Sequence, residues 1–192
     1  MKPQNNFTFD EATHIYRLDN RIIPSVTQIL QAEGITDFSF ADESDRNFGK
    51  AGHKVTELWD KGILDIKTVA ESLIPCLEVW KKFLKDFEVT IFPGAIEKHI
   101  FSSRYSFGTT PDRVGLVNNK VTVIEIKFSK SIQRSTGIQL AAQAIASTEH
   151  YGKVRQRIAV PLLNGKPQFF NDRQDETIFI SALNLWRWKN EK

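Results

Sequence analysis

Cysteine is almost absent from this chain, since Cys76 is the single cysteine among 192 residues. One thiol cannot form an internal disulfide, and it cannot supply the four sulfur ligands of a zinc site or an iron–sulfur cluster. Because Cys76 lies in the apolar run LIPCLEVW, we interpret it as a small buried hydrophobic residue rather than a nucleophile. The sequence therefore predicts a protein without thiol chemistry.

Long apolar runs and a strong charge of one sign are missing as well. No run is long enough to span a membrane, and the N-terminus, MKPQNNFTFDEA, has no apolar secretory-signal core. We therefore expect a cytoplasmic protein with no membrane partner. The 26 Lys and Arg residues against 23 Asp and Glu residues give a net charge of +3. This weak excess permits a polyanionic partner without requiring one.

Internal repeats, low-complexity segments and Pro/Gly/Ser-rich linkers are also lacking, which predicts one domain over residues 1–192. It begins with a strand–helix segment over about residues 1–40, in which Ser25 is a helix N-cap. It closes with a C-terminal helix over about residues 175–190. The polar stretch from Phe38 to Asn47 is interpreted as a flap over a cleft.

The middle of the chain alternates between helical and strand-like patterns. Apolar spacing predicts helices over about residues 43–61, 75–87 and 135–150. Short β-branched runs between the second and third of these predict a meander of three or four strands. A strand pair over about residues 155–170 is expected to turn tightly at Asn164-Gly165. This order is typical of a single layered domain of the α/β or α+β class.

Two charged residues interrupt the strand-like run VTVIEIKF. Side chains alternate along a strand, so Glu125 and Lys127 point to the same face. Antiparallel pairing across Asn118-Asn119 brings Asp112 to the same end of the sheet. Burying such charges is costly unless they are paired or used. The pattern predicts a metal site with a neighbouring cation; a buried Glu125–Lys127 salt bridge that only holds strands together is the open alternative.

Two carboxylates beside a lysine suit the hydrolysis of a phosphodiester. Carboxylate oxygens are the ligands that Mg²⁺ prefers, and the metal neutralises phosphoryl charge and lowers the pKa of a bound water. Lys127 would orient that water or stabilise the developing charge. A second acid–x–Lys run, Asp65-Ile66-Lys67, has neither a strand around it nor a Pro-Asp partner. We interpret that run as the start of a surface helix.

Beyond Pro111-Asp112 and Glu125-x-Lys127, four stretches stand in a characteristic order: IPSVTQIL (Ile23–Leu30), FGKAGHKVTELW (Phe48–Trp59), the pair GTTPDRVG and VIEIKFSK, and IQLAAQAIA (Ile138–Ala146). In this order they resemble the RecB-like branch of the PD-(D/E)XK nuclease superfamily. Phage exonucleases and the mitochondrial genome maintenance exonuclease belong to this branch. The resemblance implies a restriction-endonuclease-like α/β fold, with a central mixed β-sheet flanked by helices.

The same resemblance implies a deoxyribonuclease that depends on Mg²⁺ or Mn²⁺. Its metal ligands would be His53, Glu97, Asp112, Glu125 and the backbone carbonyl of Ile126. Lys127 would be the catalytic lysine, and Gln139 would bond this lysine or a DNA phosphate. Gln143 stands where the family usually has Tyr. A Tyr stacks on a base or bonds a phosphate, whereas a Gln can only bond the phosphate.

Local patterns around two of these ligands add detail. On the predicted helix FGKAGHKVTELW, His53 and Glu57 share one face. Gly49 and Gly52 on that helix would let another stretch of backbone come close. Glu57 is interpreted mainly as a partner of neighbouring lysines. In AIEKHIF, alternation would place Glu97 on a regular strand face.

Basic and aromatic residues near the predicted site, together with one glutamine, are candidate DNA contacts. They are Arg104, Tyr105, Arg113, Lys130, Arg134 and Gln143, with Lys153, Arg155 and Arg157 further along the chain. Such side chains would follow a nucleic-acid backbone, and an aromatic ring would stack on bases of a single strand. No base-reading motif is visible, so we expect little sequence specificity.

The sequence as a whole predicts an exonuclease that acts on single-stranded DNA or duplex ends in phage replication or recombination, in the host cytoplasm if a phage encodes it. An endonuclease stays open, as does a non-catalytic DNA- or partner-binding module on the same fold. A homo-oligomer or a phage recombination partner is compatible with either.

Overall fold

The computed structural model describes residues 6–36 and 42–190, and within them the chain forms ten strands and five α-helices. The strands are β1 (Phe7–Asp10), β2 (Ile15–Leu18), β3 (Arg21–Ile23), β4 (Thr90–Ile96), β5 (Ile100–Ser102), β6 (Phe107–Thr109), β7 (Arg113–Val117), β8 (Lys120–Lys127), β9 (Gln156–Pro161) and β10 (Gln168–Phe169). The helices are α1 (Val26–Ala32), α2 (Glu43–Asp60), α3 (Ile74–Asp86), α4 (Ser135–Tyr151) and α5 (Gln174–Asn190).

A five-stranded mixed sheet forms the centre, in the order β10-β9-β8-β7-β4. Neighbouring strands are antiparallel except β8 and β9, which are parallel. A parallel pair needs a long crossover, and α4 supplies it. Two smaller antiparallel sheets, β1-β2-β3 and β5-β6, complete the strands of the described residues. The predicted α/β domain with a mixed sheet flanked by helices is confirmed.

The β7–β8 hairpin determines where the predicted charges meet. Its turn is Asn118-Asn119, and both residues have positive φ angles, 46° and 60°. Two consecutive left-handed residues suit a type I′ turn, which matches the twist of the strands, and Asn tolerates this conformation. The register pairs Arg113 with Ile124, so Asp112 lies beside the part of β8 that carries Glu125. The predicted pairing is confirmed.

The two faces of β8 enter different parts of the core. Ile124 and Ile126 pack with Trp80 of α3. Val123 belongs to a second cluster with Leu140 of α4. Glu125 alternates in phase with Val123, so the fold directs its carboxylate toward α4 rather than toward α3.

The N-terminal segment agrees with its prediction where the structure describes it. It forms β1, β2, β3 and α1, while residues 1–5 and 37–41 lie outside the described residues. Ser25 is the N-cap of α1: its hydroxyl accepts from the Gln28 N–H, and the Gln28 side chain accepts from the Ser25 N–H. The predicted flap begins outside the described residues, and its second half, from Glu43, is the start of α2.

The tight turn predicted at Asn164-Gly165 is wrong. Strands β9 and β10 do pair, but their register joins Ala159 to Gln168, so residues 162–167 form the connection. Leu162 explains the delay, because its side chain is buried in the core and its N–H donates to the Lys127 carbonyl. The chain therefore stays beside β8 for one residue beyond β9 before it turns.

No helix in residues 6–36 and 42–190 is long and apolar enough to cross a membrane.

The two glycines of α2 have different surroundings. A Cβ on Gly52 would lie 2.0 Å from the ring of Phe128, whereas a Cβ on Gly49 would meet nothing within 4 Å. The predicted approach of another backbone stretch is therefore wrong. A side chain approaches instead, and it does so only at Gly52.

Gly52→Ala is expected to lower the free energy of unfolding by about 1–3 kcal/mol, because the added methyl group overpacks the contact with Phe128. Gly49→Ala is the matched control on the same helix. It should raise stability by about 0.5–1 kcal/mol, because Ala loses less backbone entropy than Gly in a helix. Urea unfolding of both variants measures the difference, and equal effects at the two positions would contradict the contact.

Candidate metal centre

Three side chains from distant parts of the chain converge at one end of the central sheet. His53 comes from α2, Glu97 follows β4, and Asp112 precedes β7. One ligand atom from each lies within 4.8 Å of the others. The His53 Nδ1 atom is 3.5 Å from Glu97 Oε1 and 3.7 Å from Asp112 Oδ1. An imidazole nitrogen and two carboxylate oxygens in this arrangement could hold a metal ion.

Asp112 is fixed by the backbone of the neighbouring strand. Its Oδ2 atom accepts a hydrogen bond of 2.6 Å from the Ile126 N–H, and its residue is only 6% exposed. One carboxylate oxygen is therefore committed to β8, while the other lies on the His53 side. For Ile126 the structure describes this N–H contact, and metal ligation by its carbonyl stays a prediction.

Glu97 reaches the site through a turn rather than through strand alternation. Strand β4 ends at Ile96, and Glu97 has a φ of 48°, in the left-handed region. Its N–H donates to the Asp112 carbonyl over 3.0 Å, which joins the two ligand-bearing segments directly. The predicted regular strand face is therefore wrong. A left-handed residue at the strand end redirects the carboxylate toward His53.

The Glu125–Lys127 pair lies next to this group. Lys127 Nζ donates to Glu125 Oε1 over 2.8 Å, and Gln139 Nε2 donates to the same oxygen over 2.9 Å. Gln143 Nε2 donates to Glu125 Oε2 over 2.9 Å. Glu125 is thus surrounded by protein donors, and it lies outside the three-residue group found among the described residues. Its ligand role stays a prediction.

Gln139 and Gln143 both contact the charged pair. Gln139 Oε1 also accepts from Lys127 Nζ over 3.2 Å, as expected for a glutamine that bonds the lysine. Gln143 is only 1% exposed, so its predicted role as a DNA contact is wrong. Its side chain is used inside the protein, where it orients the Glu125 carboxylate.

Arg113 is likewise not a DNA contact, because its residue is 0% exposed. Its guanidinium donates to Asp60 Oδ2 at 2.6 Å and to Glu97 Oε1 at 3.1 Å. It also donates to the Asp112 carbonyl at 2.6 Å and to Thr56 Oγ1 at 3.2 Å. Arg113 therefore ties both carboxylate-bearing segments to α2. No sequence pattern indicates this network, because Asp60 is 53 positions from Arg113 and is an ordinary polar residue at the end of a helix.

Asp60 is the second member of this network that sequence reasoning missed. Its other oxygen accepts from the indole N–H of Trp80 over 2.9 Å, so the network extends to α3. Two helices and two strand ends are thereby fixed around the candidate metal centre. Buried charges of this kind are stable only when every polar atom finds a partner.

The remaining candidate DNA contacts do not form one surface with the site. Arg104 lies over the ring of half-buried Tyr105, with 4.9 Å between the guanidinium carbon and the ring centroid. Both line a groove of about 660 Å³ that also includes Lys153, Arg155 and Arg157. The Arg155 N–H donates to the carbonyl of Val121 near the start of β8, whereas Glu125 and Lys127 lie at its other end. Lys130 and Arg134 are exposed between β8 and α4.

Glu57 is a partner of neighbouring lysines, as interpreted from the sequence. Its carboxylate pairs with Lys54 and Lys61 on the surface of α2. It still lines the opening in front of His53 and Asp112, where Lys54 accompanies it. Both lysines and Glu57 line the neighbouring cleft.

The ionisation of the centre follows from burial and neighbouring charges. Burial lowers the pKa of His53, but the charges of Asp112 and Glu97 outweigh this and raise its pKa to about 9. Burial, followed by the charge of Glu125, raises the pKa of Asp112 to about 7. For Lys127, burial opposes the charged form, but Glu125 raises its pKa above the ordinary value. The metal-free centre therefore retains protons around neutral pH.

Comparison with models of protein families finds no match to this chain, and no curated protein matches it. Among solved structures, the crystal structure of SSO0001 has a TM-score of 0.38 and 13% sequence identity to the chain. The match covers 87% of this chain and 85% of that protein. A likeness of this size carries no argument about function, so the interpretation of the site depends on its own geometry.

Arg113→Met is expected to lower the free energy of unfolding by about 3–5 kcal/mol, because it leaves Asp60 as a buried, unpaired charge. Denaturant unfolding measures the loss. Adding Asp60→Asn to this variant should recover part of the lost stability, because the unpaired charge at position 60 is then removed. The Asn side chain can still accept the hydrogen bond from the Trp80 indole. A loss below about 1 kcal/mol for the single variant would contradict a buried ion pair at this position.

The protons of the centre make a pH-dependent contribution to the stability of the metal-free protein. His53 binds its proton up to a pKa of about 9 in the folded state, against 6.5 when unfolded. The folded state thus binds more protons, so this contribution is complete below pH 6.5 and is lost as pH rises toward 9. The raised pKa of Asp112 acts in the same direction, between pH 3.8 and about 7.

We therefore expect the stability difference between the wild type and His53→Gln to shrink as pH rises from 6.5 to 9. Thermal or urea unfolding in the presence of a chelator measures this difference. His150→Gln serves as a control for a histidine at the protein surface. A wild-type advantage that is independent of pH over this range would contradict the protonated state of His53.

Proposed function

We propose that the chain is a divalent-metal-dependent nuclease that hydrolyses DNA phosphodiester bonds. One observation carries the proposal: His53, Glu97 and Asp112 converge within ligand distance beside the Glu125–Lys127 pair. A group that could hold a metal thus lies next to a half-buried lysine. This combination suits the attack of water on a phosphodiester.

The donor set fits Mg²⁺ or Mn²⁺. Carboxylate oxygens suit both ions, and imidazole is tolerated better by Mn²⁺. The three side chains also line an opening of about 410 Å³ at the surface, so a phosphate has access to them. When bound, the metal would neutralise charge on the phosphoryl oxygens and lower the pKa of a bound water. Glu125 would complete the ligand set if its carboxylate exchanged one of its protein donors for the metal.

Lys127 would supply the fixed positive charge of the site. Its side chain is 26% exposed, and Glu125 and Gln139 hold its ammonium group from the protein side. Because Glu125 favours the protonated form, Lys127 donates hydrogen bonds rather than accepting a proton. Its proposed role is to orient the attacking water or to stabilise charge that develops on the phosphoryl oxygen.

The position of these residues supports membership of the PD-(D/E)XK superfamily and its restriction-endonuclease-like fold, as the sequence resemblance implies. Asp112 directly precedes one strand of a mixed sheet, and Glu125 and Lys127 lie on the next strand. We propose a RecB-like exonuclease acting on single strands or duplex ends. Endonuclease action would require only that an internal stretch of the strand, rather than its end, enter the cleft.

A non-catalytic DNA-binding module is the second candidate, and the surroundings of Glu125 favour it. The two carboxylate oxygens of Glu125 already accept hydrogen bonds from Lys127, Gln139 and Gln143. Thermal unfolding with added Mn²⁺ separates the candidates at the level of metal binding. A metal site should raise the melting temperature of the wild type and leave Asp112→Ala unaffected.

We expect the purified protein to degrade DNA only when Mg²⁺ or Mn²⁺ is present. Lys127→Ala and Glu125→Gln should each lower the rate at least about a hundredfold, because one removes the ammonium group and the other the carboxylate charge. Release of acid-soluble nucleotides measures the rate, and circular dichroism confirms the fold of each variant.

Lys67→Ala is the matched control, since Lys67 belongs to the exposed acid–x–Lys run Asp65-Ile66-Lys67. Its rate should equal that of the wild type. Metal-dependent digestion that survives both site variants would exclude these residues from the chemistry. Circular and linear substrates, labelled at either end, then distinguish exonuclease from endonuclease action.

A further inference from the structure

The cleft in front of the candidate metal centre has a second wall that none of the proposed chemistry uses. The cleft measures about 540 Å³. On one side it is lined by Glu97 of the metal centre and by Gln139 and Gln143 of α4. On the other side it is lined by His14 and Tyr16 of the β1–β2 hairpin and by His99 from the turn before β5.

Three aromatic rings contact one another in this second wall. The rings of Phe9 and His99 have centroids 3.9 Å apart and planes tilted by 30°. The ring of His14 meets Phe9 edge-on, at 5.0 Å and 80°. His14 and His99 line the cleft, and half-buried Phe9 supports them. We call Phe9, His14 and His99 the aromatic wall.

The aromatic wall is held rigidly at a short distance from the metal centre. Thr110 Oγ1 is hydrogen-bonded both to His99 Nδ1, at 2.6 Å, and to the Tyr16 hydroxyl, at 2.7 Å. The Tyr16 ring packs on Gly108, where a Cβ would lie 2.4 Å from it. The N–H of Gly108 donates to the Pro24 carbonyl, which fastens the N-terminal segment to β6.

Sequence proximity couples the aromatic wall to the ligands. His99 is two residues after Glu97, and Thr110 is two residues before Asp112. Two residues of extended chain span at most about 7 Å, so the backbone of His99 lies within about that distance of the backbone of Glu97. A strand whose phosphate reached the metal centre would place an adjacent base beside these rings.

We propose that the aromatic wall is a stacking subsite for a nucleobase of single-stranded DNA, a proposal that rests on the nuclease function. Histidine and phenylalanine rings stack on bases of any sequence, because every base has a flat π-face. The His99 ring is held by its contact with Phe9 and by its hydrogen bond with Thr110, so it should lose little entropy when a base binds. The subsite therefore gives affinity for unpaired bases without sequence preference.

The dimensions of the cleft favour a single strand over a duplex. A volume of about 540 Å³ lies within the range of pockets that enclose one small ligand, so the cleft has room for a single nucleotide rather than for a duplex. Bases of a duplex are also stacked on each other and paired, so their faces are not accessible to the aromatic wall. One unpaired nucleotide next to the cleaved bond fits both observations.

The experiment compares two short labelled single strands of equal length, one normal and one fully abasic, for binding to the metal-free protein by fluorescence anisotropy. The wild type should bind the normal strand about tenfold more tightly than the abasic strand. The variant His14→Asn/His99→Asn should bind both strands with nearly equal affinity. Its affinity for the abasic strand should match that of the wild type.

Asparagine is chosen because it removes the ring and keeps a polar side chain. His14 has a φ of 57°, a left-handed conformation that Asn tolerates, and an Asn at position 99 keeps a hydrogen-bonding group near Thr110. Trp188→Ala is the matched control, since this aromatic residue of α5 is 80% exposed and does not line the cleft. If the double variant does not fold, His14→Asn alone should lose part of the preference, because His14 is exposed.

Three outcomes would overturn the subsite: equal binding of both strands by the wild type, no binding of either strand, or a preference that survives in the double variant. Failure of the nuclease function looks different. In that case Mn²⁺ produces no digestion of any DNA, whatever the two strands show in the binding assay. Digestion without a preference for the normal strand rejects the aromatic wall and leaves the nuclease proposal intact.

Discussion

Three carboxylates meet at the end of the central sheet, where little water reaches them. The structure around them is governed by the need to neutralise their negative charge with groups of the protein. Asp112 and Glu125 are almost fully buried, and Glu97 lies within reach of both segments. Like charges at this distance oppose one another strongly when water is excluded. The chain balances them with three different cations, each contributed by a different element.

The three cations differ in how permanent they are. Arg113 is fixed between Asp60 and Glu97, so its guanidinium group acts as a permanent part of the framework. Lys127 is half-buried and is paired with Glu125. His53 is the exception, because its charge is a proton that it can release. A divalent ion bound at the centre would therefore satisfy the same carboxylates as the proton on His53, and each would disfavour the other.

Much of this arrangement could be predicted from the sequence, because it depends on local rules. Strand alternation and the Asn118-Asn119 turn are enough to bring Asp112 to Glu125, and the helix bearing Gln139 follows from its periodicity. Arg113 and Gln143 were misassigned because sequence spacing does not show burial. Because Arg113 follows a predicted metal ligand, it is interpreted as a phosphate contact unless its partner Asp60, 53 residues away, is known. Likewise, Leu162 delays the turn after β9 through a tertiary contact that Asn164-Gly165 cannot reveal.

The distribution of the remaining charge bears on how a strand would be held. Arg104, Lys153 and Arg155 line a groove near the start of β8, away from the carboxylates, and the lysines beside the cleft, Lys54 and Lys61, are paired with Glu57. The cleft itself thus offers few uncompensated cations to a phosphate backbone. Under the proposed function, electrostatic attraction of DNA would act mainly at the distant groove and would fall with salt. Beside the cleft, the proposed metal ion and the aromatic wall would be the remaining sources of affinity for a strand.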